Sequence, residues 1–218
     1  RRGGGAPVCG ERGAHRRLAG SGSLHRQPRR HRPGRGARTQ GERGKPAREY
    51  LSKRGFTDST FDEFRVGFAP DSWDSLLTSP EMKPYSPELL HLGGLLKKRE
   101  TGDGYYDTFR DRVMFPIRDE SGKTIAFGGR VLPGSDNPAK YLNSPETPLF
   151  SKSRCAFGLD LARTRIVETR TAIIVDCYTN VMISHQYDLR NVVIVLGSAL
   201  TESHILLLKR FADKIVLL

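Results

Sequence analysis

Apolar positions in residues 46–98 recur at helical rather than alternating spacing. "PAREYLSKRGF" has a proline near its start and Gly55 as a stop, which predicts a helix. The next residues predict a short capped helix, a turn at Gly-Phe-Ala-Pro and another helix from Asp71. "SPELLHLGGLL" predicts one more helix, ending at its glycine pair. We therefore expect a small helical region up to about residue 98.

The pattern changes near Tyr105 to one that is typical of strands. "DRVMFPIRD" and "KTIAFGGRVL" are β-rich runs separated by Glu120–Gly122, which predicts a hairpin with glycine at the turn. The stretch that follows, "PAKYLNSPETPLFSKSRCAFGL", contains two central prolines and little periodicity, so we expect it to be irregular.

The last sixty residues alternate between helical and strand patterns. The predicted order is helix 159–167, strand 171–175, helix 178–187, strand 191–196, helix 201–211 and strand 213–218. A βαβαβ order predicts a parallel sheet, so the fold class is α+β followed by α/β. The pattern ends on the strand "KIVLL" without a further helix, which indicates that this unit is incomplete.

Composition separates residues 1–45 from the rest of the chain. These residues hold twelve Arg and one Lys against two Glu, a net charge of +11, whereas the whole chain carries +12. They contain no aromatic residue, no Ile and no Met, so we expect them to be disordered. They are either an arginine-rich nucleic-acid tail or translated sequence unrelated to the fold, for example from a misread frame. Any basic patch beyond residue 45 must be local.

Several protein classes are not indicated by the sequence. There is no apolar run of the roughly 18–20 residues that a membrane span needs, and no apolar segment of a secretory signal follows the basic start. Cys9, Cys155 and Cys177 are far apart and form no CxxC pair, which favours neither a disulfide framework nor a zinc site. We expect a cytoplasmic protein that does not bind membranes.

The middle of the chain combines cations with glycines and aromatic residues. In "FGGR" the two glycines allow close approach of a ligand beside Arg130, and in "KYLN" Lys140, Tyr141 and Asn143 offer a charge, a stacking face and an amide. This combination suits phosphate and single-strand binding, but ordinary surface charge on a hairpin is an equally good interpretation. The cations of the segment are Arg110, Arg112, Arg118, Arg130, Lys140, Lys152 and Arg154.

An acid, Asp176, follows the apolar run "AIIV" at the predicted end of a parallel strand. Carboxylates there can contact ligands, so Asp176 is a candidate catalytic acid or metal ligand, or only the first residue of a loop. We interpret His185 and His204 as surface or packing residues, and Trp73 as a residue that packs the helical region.

Two long stretches resemble one family. "FRDRVMFPIRDESGKTIAFGGRVL" and "PAKYLNSPETPLFSKSRCAFGLDLAR" are similar to the catalytic core of bacterial DnaG-type DNA primases. The resemblance covers about residues 46–218. It implies an amino-terminal core subdomain over residues 46–165 and a partial, Rossmann-like TOPRIM subdomain over residues 166–218.

The resemblance also implies a function. Such primases are DNA-dependent RNA polymerases that make short RNA primers at replication forks, from ribonucleoside triphosphates on single-stranded DNA. Arg130, Lys140 and Lys152 match basic positions of the family's nucleic-acid and nucleotide groove, with Tyr141 and Asn143 beside them, and Arg110 and Arg112 match a basic pair on the preceding strand. Cations that hold phosphates suit this chemistry. The full-length family also binds the replicative helicase in the nucleoid.

The chain departs from the family at the candidate catalytic loop. The family has Glu-Gly-Tyr-x-Asp where this chain has Asp176-Cys177-Tyr178-Thr179-Asn180, so the acid is one methylene shorter and a second acid is an amide. The family binds Mg²⁺ or Mn²⁺ through further acids that would follow Leu218. We therefore expect an incomplete metal site, with Asp176 as its only remaining ligand, and neither the family's zinc-binding domain nor its helicase-binding domain.

Two other functional interpretations are open at this point. The chain could be a non-catalytic module that binds single-stranded nucleic acid through the basic groove of a primase core. It could also be a different TOPRIM protein, although "FGGR" and "KYLNSPE" lie outside that subdomain. A primase core that is inactive on its own is the interpretation that the residues favour.

Overall fold

The computed structural model describes residues 44–135, 139–197 and 199–218. The predicted disorder of residues 1–45 lies almost entirely outside these ranges. The amino-terminal elements are α1 Lys45–Lys53, α2 Asp58–Phe64, β1 Gly67–Ala69, α3 Pro87–Leu92, β2 Leu96–Lys98, β3 Tyr105–Asp107, β4 Arg112–Arg118, β5 Thr124–Val131 and β6 Tyr141–Asn143. The carboxyl-terminal elements are a 3₁₀ turn at Lys152–Arg154, β7 Ala156–Phe157, α4 Leu159–Thr169, β8 Thr171–Ile174, α5 Tyr178–Gln186, β9 Val192–Val195, α6 Glu202–Lys209 and β10 Lys214–Leu217.

The first helices begin where their capping residues predict. A proline occupies the first turn of α1. The side chains of Thr57 and Ser86 accept hydrogen bonds from backbone N–H groups in the first turns of α2 and α3, respectively. These three predicted helices are confirmed. The helix expected from Asp71 is wrong, because residues 71–85 form bends and turns.

Four strands form an antiparallel sheet in the order β1-β4-β5-β6. The predicted hairpin of β4 and β5 is confirmed, and Gly122 adopts φ +77° in its turn. The turn expected at Gly-Phe-Ala-Pro is instead β1, which pairs with β4. The stretch expected to be irregular contributes β6, which pairs with β5. The two unpredicted strands have three residues each, too few to show a period.

The region expected to be helical up to residue 98 ends in a small, separate sheet of two strands. β2 pairs with β3 in antiparallel register, with Lys97 opposite Tyr106 and Lys98 opposite Tyr105. This small sheet was not predicted, because charged residues on β2 mask its strand pattern. Its position places β3 directly before the residues that lead into β4.

The last elements form a second sheet in the order β10-β8-β9-β7. β8 pairs in parallel with both β9 and β10, so the predicted parallel sheet is confirmed. The short strand β7 adds an antiparallel edge that was not predicted. β8 lies inside the sheet, so the loop that follows it, which begins near Asp176, starts between the carboxyl ends of β9 and β10.

One continuous core joins the two sheets. The aromatic side chains of Phe64, Phe115, Phe157 and Tyr178 are almost fully buried and pack against one another across the junction. The Phe115 and Tyr178 rings are nearly parallel, with centroids 4.8 Å apart. This packing fixes the loop after β8 relative to the antiparallel sheet. Among the described helices, none has the length and apolar character that crossing a membrane requires.

Candidate nucleic-acid interface

Most of the site residues expected from the sequence lie at one end of the antiparallel sheet, called here the sheet end. Arg112 begins β4 and is opposite both Ala69, the last residue of β1, and Val131, the last residue of β5. Arg130, on β5, is opposite Tyr141, the first residue of β6. Neighbouring strands run in opposite directions, so these strand starts and ends meet at one end.

Arg130 and Tyr141 form an exposed pair of a cation and an aromatic ring. The Arg130 guanidinium donates a hydrogen bond to the Tyr141 hydroxyl, and its Cζ is 5.1 Å from the Tyr141 ring centroid and 5.7 Å from that of Tyr50. Burial raises the pKa of Tyr141, while the charge of Arg130 acts in the opposite direction. The pair offers a positive charge and a π face on one surface, which suits a nucleotide.

A second pair of this kind is formed by Arg110 and Trp73. The Arg110 Cζ is 3.8 Å from the Trp73 ring centroid and 5.2 Å from that of Tyr106, and its Nη1 donates to the Asp107 carbonyl. Trp73 is 56% exposed, so the prediction that it packs the helical region is wrong. The predicted helix does not form there, and the indole lies on the surface beside a guanidinium instead.

Arg112 differs from Arg110, although the sequence placed them together. Arg112 is only 2% exposed, and its Nη1 donates to the carbonyls of Ala139 and Gly129 at 2.9 and 3.4 Å. A Cβ at Gly129 would lie 2.9 Å from the Arg112 Cδ, so a glycine is needed there. Burial lowers the pKa of Arg112, with Arg110 adding to the effect. Arg112 therefore supports the chain before Lys140 rather than offering its charge on the surface.

The two candidate lysines are held through their backbones. Lys140 is exposed, and its carbonyl accepts a hydrogen bond of 3.1 Å from the Val131 N–H. Lys152 is half-buried in the 3₁₀ turn, and its N–H donates to the Glu146 carboxylate at 2.9 Å. Each backbone is thereby fixed.

His204 also fixes Lys152 and is fully buried. Its Nδ1 lies 3.1 Å from the Thr201 backbone N–H, and its Nε2 lies 2.8 Å from the Lys152 carbonyl oxygen. A backbone N–H only donates and a carbonyl only accepts, so the ring is neutral with its proton on Nε2. The histidine, interpreted from the sequence as a surface or packing residue, links α6 to the Lys152 turn.

Tyr178 crosses from the second sheet to the first. Its hydroxyl donates a 2.7 Å hydrogen bond to Asn143 Oδ1, so a ligand must compete for this oxygen. A Cβ at Gly128 would lie 2.3 Å from the Tyr178 Oη, which only glycine avoids. Burial raises the pKa of Tyr178 strongly, so its hydroxyl remains a donor. The first glycine of "FGGR" thus accommodates a protein side chain.

Asp176 is exposed at the carboxyl end of β8, and Asn180 donates to its Oδ1 at 2.8 Å. The Tyr178 ring, two residues on, has its centroid 6.4 Å from that of Tyr141, so this loop lies beside the sheet end. Across residues 44–135, 139–197 and 199–218, no three His, Cys, Asp or Glu side chains come together as they would around a metal ion. Asp176 and its amide neighbour alone do not fit a divalent metal site.

Sequence reasoning missed four residues that shape this surface. Trp73 was interpreted as a packing residue and His204 as a surface or packing residue. Tyr50 lies in "PAREYLSKRGF", which indicated only a helix. Tyr178 was noted only as part of a motif. Their contacts join residues far apart in the chain: Tyr50 and Arg130 are 80 positions apart, and Trp73 and Arg110 are 37. A pattern confined to neighbouring residues does not contain that information.

Comparison with known proteins identifies the family. The family model for the DNA primase catalytic core, N-terminal domain, matches residues 36–163. The chain is 46% identical over 172 residues to the DNA primase of Synechocystis sp., covering 78% of this chain and 27% of that protein. It is 44% identical over 174 residues to the DNA primase of Deinococcus radiodurans, covering 79% of this chain and 30% of that protein.

Solved structures agree with the sequence comparisons. The RNA polymerase domain of the Mycobacterium tuberculosis primase DnaG superimposes with a TM-score of 0.74 at 34% identity, covering 82% of this chain and 60% of that one. The E. coli primase catalytic core gives a TM-score of 0.73 at 39% identity, covering 82% of this chain and 56% of that one. A DnaG primase catalytic domain bound to single-stranded DNA gives 0.71 at 40% identity, covering 82% and 55%.

The chain spans only about a third or less of the two curated relatives described above. A family model, two primase sequences and three primase structures all indicate the same family. The mixed arrangement of helices and sheets predicted from the sequence is the arrangement of these cores. The chain therefore belongs to the DnaG-type DNA primase family and contains the amino-terminal domain of the primase catalytic core.

Proposed function

We propose that the sheet end binds single-stranded DNA as the template site of a primase, an enzyme that makes RNA primers from ribonucleoside triphosphates. The observation that carries this proposal is a pair of contacts between a half-buried arginine and an exposed aromatic ring, Arg110 with Trp73 and Arg130 with Tyr141. Cations bind the phosphates of a strand, and aromatic faces stack on its unpaired bases. In a duplex the bases are not available for such stacking.

A relative supports the choice of ligand. A DnaG catalytic domain with 40% identity to this chain was solved bound to single-stranded DNA. We infer that Arg110, Arg130 and Lys140 contact phosphates, and that Trp73 and Tyr141 stack on bases. Asn143 lies two residues along β6 from Tyr141, where its amide can bind a sugar or base. The ligand must then compete with the Tyr178 hydroxyl for Asn143 Oδ1.

Lys152 is assigned to the incoming nucleotide in this proposal. Its backbone is fixed on both sides, by Glu146 at the N–H and by His204 at the carbonyl. A triphosphate needs positive charge held in position, because phosphoryl transfer depends on placing and stabilising charged oxygens. A fixed backbone limits the positions that the lysine ammonium group can reach.

Asp176 is the residue proposed at the catalytic position. It follows a central parallel strand and lies beside the sheet end, where an acid can approach a bound strand. The family generally uses a divalent metal ion, and Asp176 is the described residue that we infer to belong near it. The described residues alone do not form that site, so no catalytic step is derived through a metal. Nucleoid association in the cytoplasm is a further part of this proposal, and the replicative helicase is proposed as a partner of the full-length protein only.

A salt titration of DNA binding tests the proposal. We would compare the full chain with an Arg130→Ala/Lys140→Ala variant by fluorescence anisotropy of a labelled oligothymidylate. Losing two phosphate contacts should lower the slope of log affinity against log salt by about 1.4, at about 0.7 per contact. The matched control is Arg163→Ala/Lys209→Ala, which removes the same charge from exposed positions on α4 and α6. Equal slopes for the two variants would show that the sheet end is not the binding site.

A further inference from the structure

The small sheet of β2 and β3 carries two exposed lysines that face opposite ways. Lys97 and Lys98 are successive residues of β2, and successive side chains of a strand point to opposite faces. Lys97 is opposite Tyr106 and Lys98 is opposite Tyr105, and directly opposed residues share a face. Both lysines are exposed and carry the same charge, but each is opposite a different tyrosine.

The face that holds Lys97 continues the surface around Trp73. The Tyr106 ring centroid is 5.4 Å from that of Trp73, and the Arg110 Cζ is 5.2 Å from the Tyr106 ring. Lys97 therefore shares a face of the small sheet with Tyr106, whose ring contacts Trp73. Arg110, Trp73 and Tyr106 thus contact one another, and Lys97 adds a cation on the face that holds Tyr106.

The face that holds Lys98 leads elsewhere. Tyr105 contacts His91 of α3, with ring centroids 5.5 Å apart. His91 Nδ1 donates a 2.9 Å hydrogen bond to the Leu96 carbonyl. These contacts belong to the packing of α3 against β2. Lys98 thus shares a face with Tyr105, which contacts a histidine of α3, and not with the tyrosine that contacts the exposed indole.

We propose that single-stranded DNA continues past Trp73 across the small sheet, with Lys97 contacting a phosphate and Tyr106 lying beside the strand. This inference rests on the proposed function, because it extends the same site. It adds a phosphate contact that the family motifs do not mark. A nucleic acid is the partner that fits, because a cation shares a face with Tyr106, whose ring contacts an exposed indole and a guanidinium. An acidic protein would use the charge but would not need the aromatic rings beside it.

Two matched substitutions separate this path from general attraction by charge. Lys97→Gln and Lys98→Gln would be made in the full chain, and binding would be measured by anisotropy with labelled oligothymidylates of 6 and 18 nucleotides over a range of salt. Lys97→Gln should lower the salt slope by about 0.7 with the longer strand, and Lys98→Gln should leave it unchanged. A strand of 6 nucleotides should show a smaller difference between the variants, because fewer of its registers reach Lys97.

The outcomes are distinguishable. An unchanged slope for Lys97→Gln, or equal losses for both variants, would overturn the path across the small sheet. If Arg130→Ala/Lys140→Ala still lowers the slope in that case, the proposed template site stands and only the extension fails. If that double variant also has no effect, the proposed function fails first. Circular dichroism of both single variants should match the unsubstituted chain, because both lysines are exposed.

Discussion

The Tyr178 hydroxyl donates a 2.7 Å hydrogen bond to Asn143 Oδ1 and thereby joins the loop after β8 to the last strand of the antiparallel sheet. Tyr178 is 2% exposed and stacks on Phe115. The contact places the Asp176 loop beside the sheet end, where the proposed template site lies. The relative position of acid and cations thus depends on a buried tyrosine.

Tyr178→Phe should destabilise the chain by about 1 kcal/mol while keeping the ring contacts. The substitution removes one hydrogen bond and leaves the Asn143 oxygen without this donor. Urea unfolding followed by circular dichroism measures the change. Tyr178→Ala, which also removes the stacked ring, should cost about 3–5 kcal/mol, in the range for large aromatic truncations. Equal losses for the two variants would show that the ring contacts contribute little.

Gly128→Ala should destabilise the chain by about 1–3 kcal/mol, the range for overpacked cores. The new methyl group would lie 2.3 Å from the Tyr178 Cζ and Oη, and Tyr178 has no room to withdraw beside Phe115. A double-mutant cycle with Tyr178→Ala gives the test, because the methyl group fits once the ring is gone. Additive losses in that cycle would contradict the clash as the cause.

The two glycines of "FGGR", Gly128 and Gly129, illustrate what the sequence could and could not predict. The runs "DRVMFPIRD" and "KTIAFGGRVL" correctly predicted the hairpin, and the motifs "FGGR" and "KYLN" marked candidate cations beside it. They did not show that Gly128 accommodates Tyr178 or that Gly129 accommodates Arg112, because each contact joins separate strands. Charge alone likewise made Arg110 and Arg112 look equivalent, although one is stacked on Trp73 and the other is buried.

The helices and longer strands were predictable because each has enough residues to show a period. The parallel sheet of β8, β9 and β10 followed from three apolar runs separated by helical spacing. β1, β2 and β6 have only three residues each, so neither a period of two nor one of 3.6 can be read from them. Tyr141 begins β6, and Trp73 is held by Tyr106 and Asp107 of the equally short β3, which is why part of the site was missed.

His204→Asn and His204→Gln should separate the two contacts of the buried histidine. The asparagine amide oxygen can replace Nδ1 as acceptor for Thr201, whereas the glutamine amide nitrogen can replace Nε2 as donor to Lys152. We expect His204→Gln, but not His204→Asn, to retain nucleotide affinity, measured by equilibrium binding of a fluorescent ribonucleoside triphosphate. The loss in His204→Asn should vanish in a Lys152→Ala background. Equal affinity of both variants would show that His204 only stabilises α6.

Asn180→Asp should increase affinity for Mn²⁺, because it replaces an amide nitrogen 2.8 Å from Asp176 Oδ1 with a carboxylate. Two carboxylates at this separation repel each other, so a divalent cation is stabilised between them. Mn²⁺ electron paramagnetic resonance measures the bound fraction. Arg163→Gln, at an exposed residue of α4, lowers the net charge by the same amount and is the control. If Asn180→Asp leaves Mn²⁺ binding unchanged, the position of Asp176 is not that of a metal ligand.

The fluorescence of Trp73 tests the central claim most directly, since it is the single tryptophan of the chain. Its indole is 56% exposed and stacked on Arg110 at the proposed template site. Titration with oligothymidylate should quench the emission, because bases stack on the indole. Trp73→Phe keeps an aromatic face and should bind as tightly as the unsubstituted chain. Trp73→Ala should lose about 1–3 kcal/mol of binding free energy. Binding detected by anisotropy without any change in Trp73 emission, and with Trp73→Ala as tight as the unsubstituted chain, would contradict a template site at the sheet end.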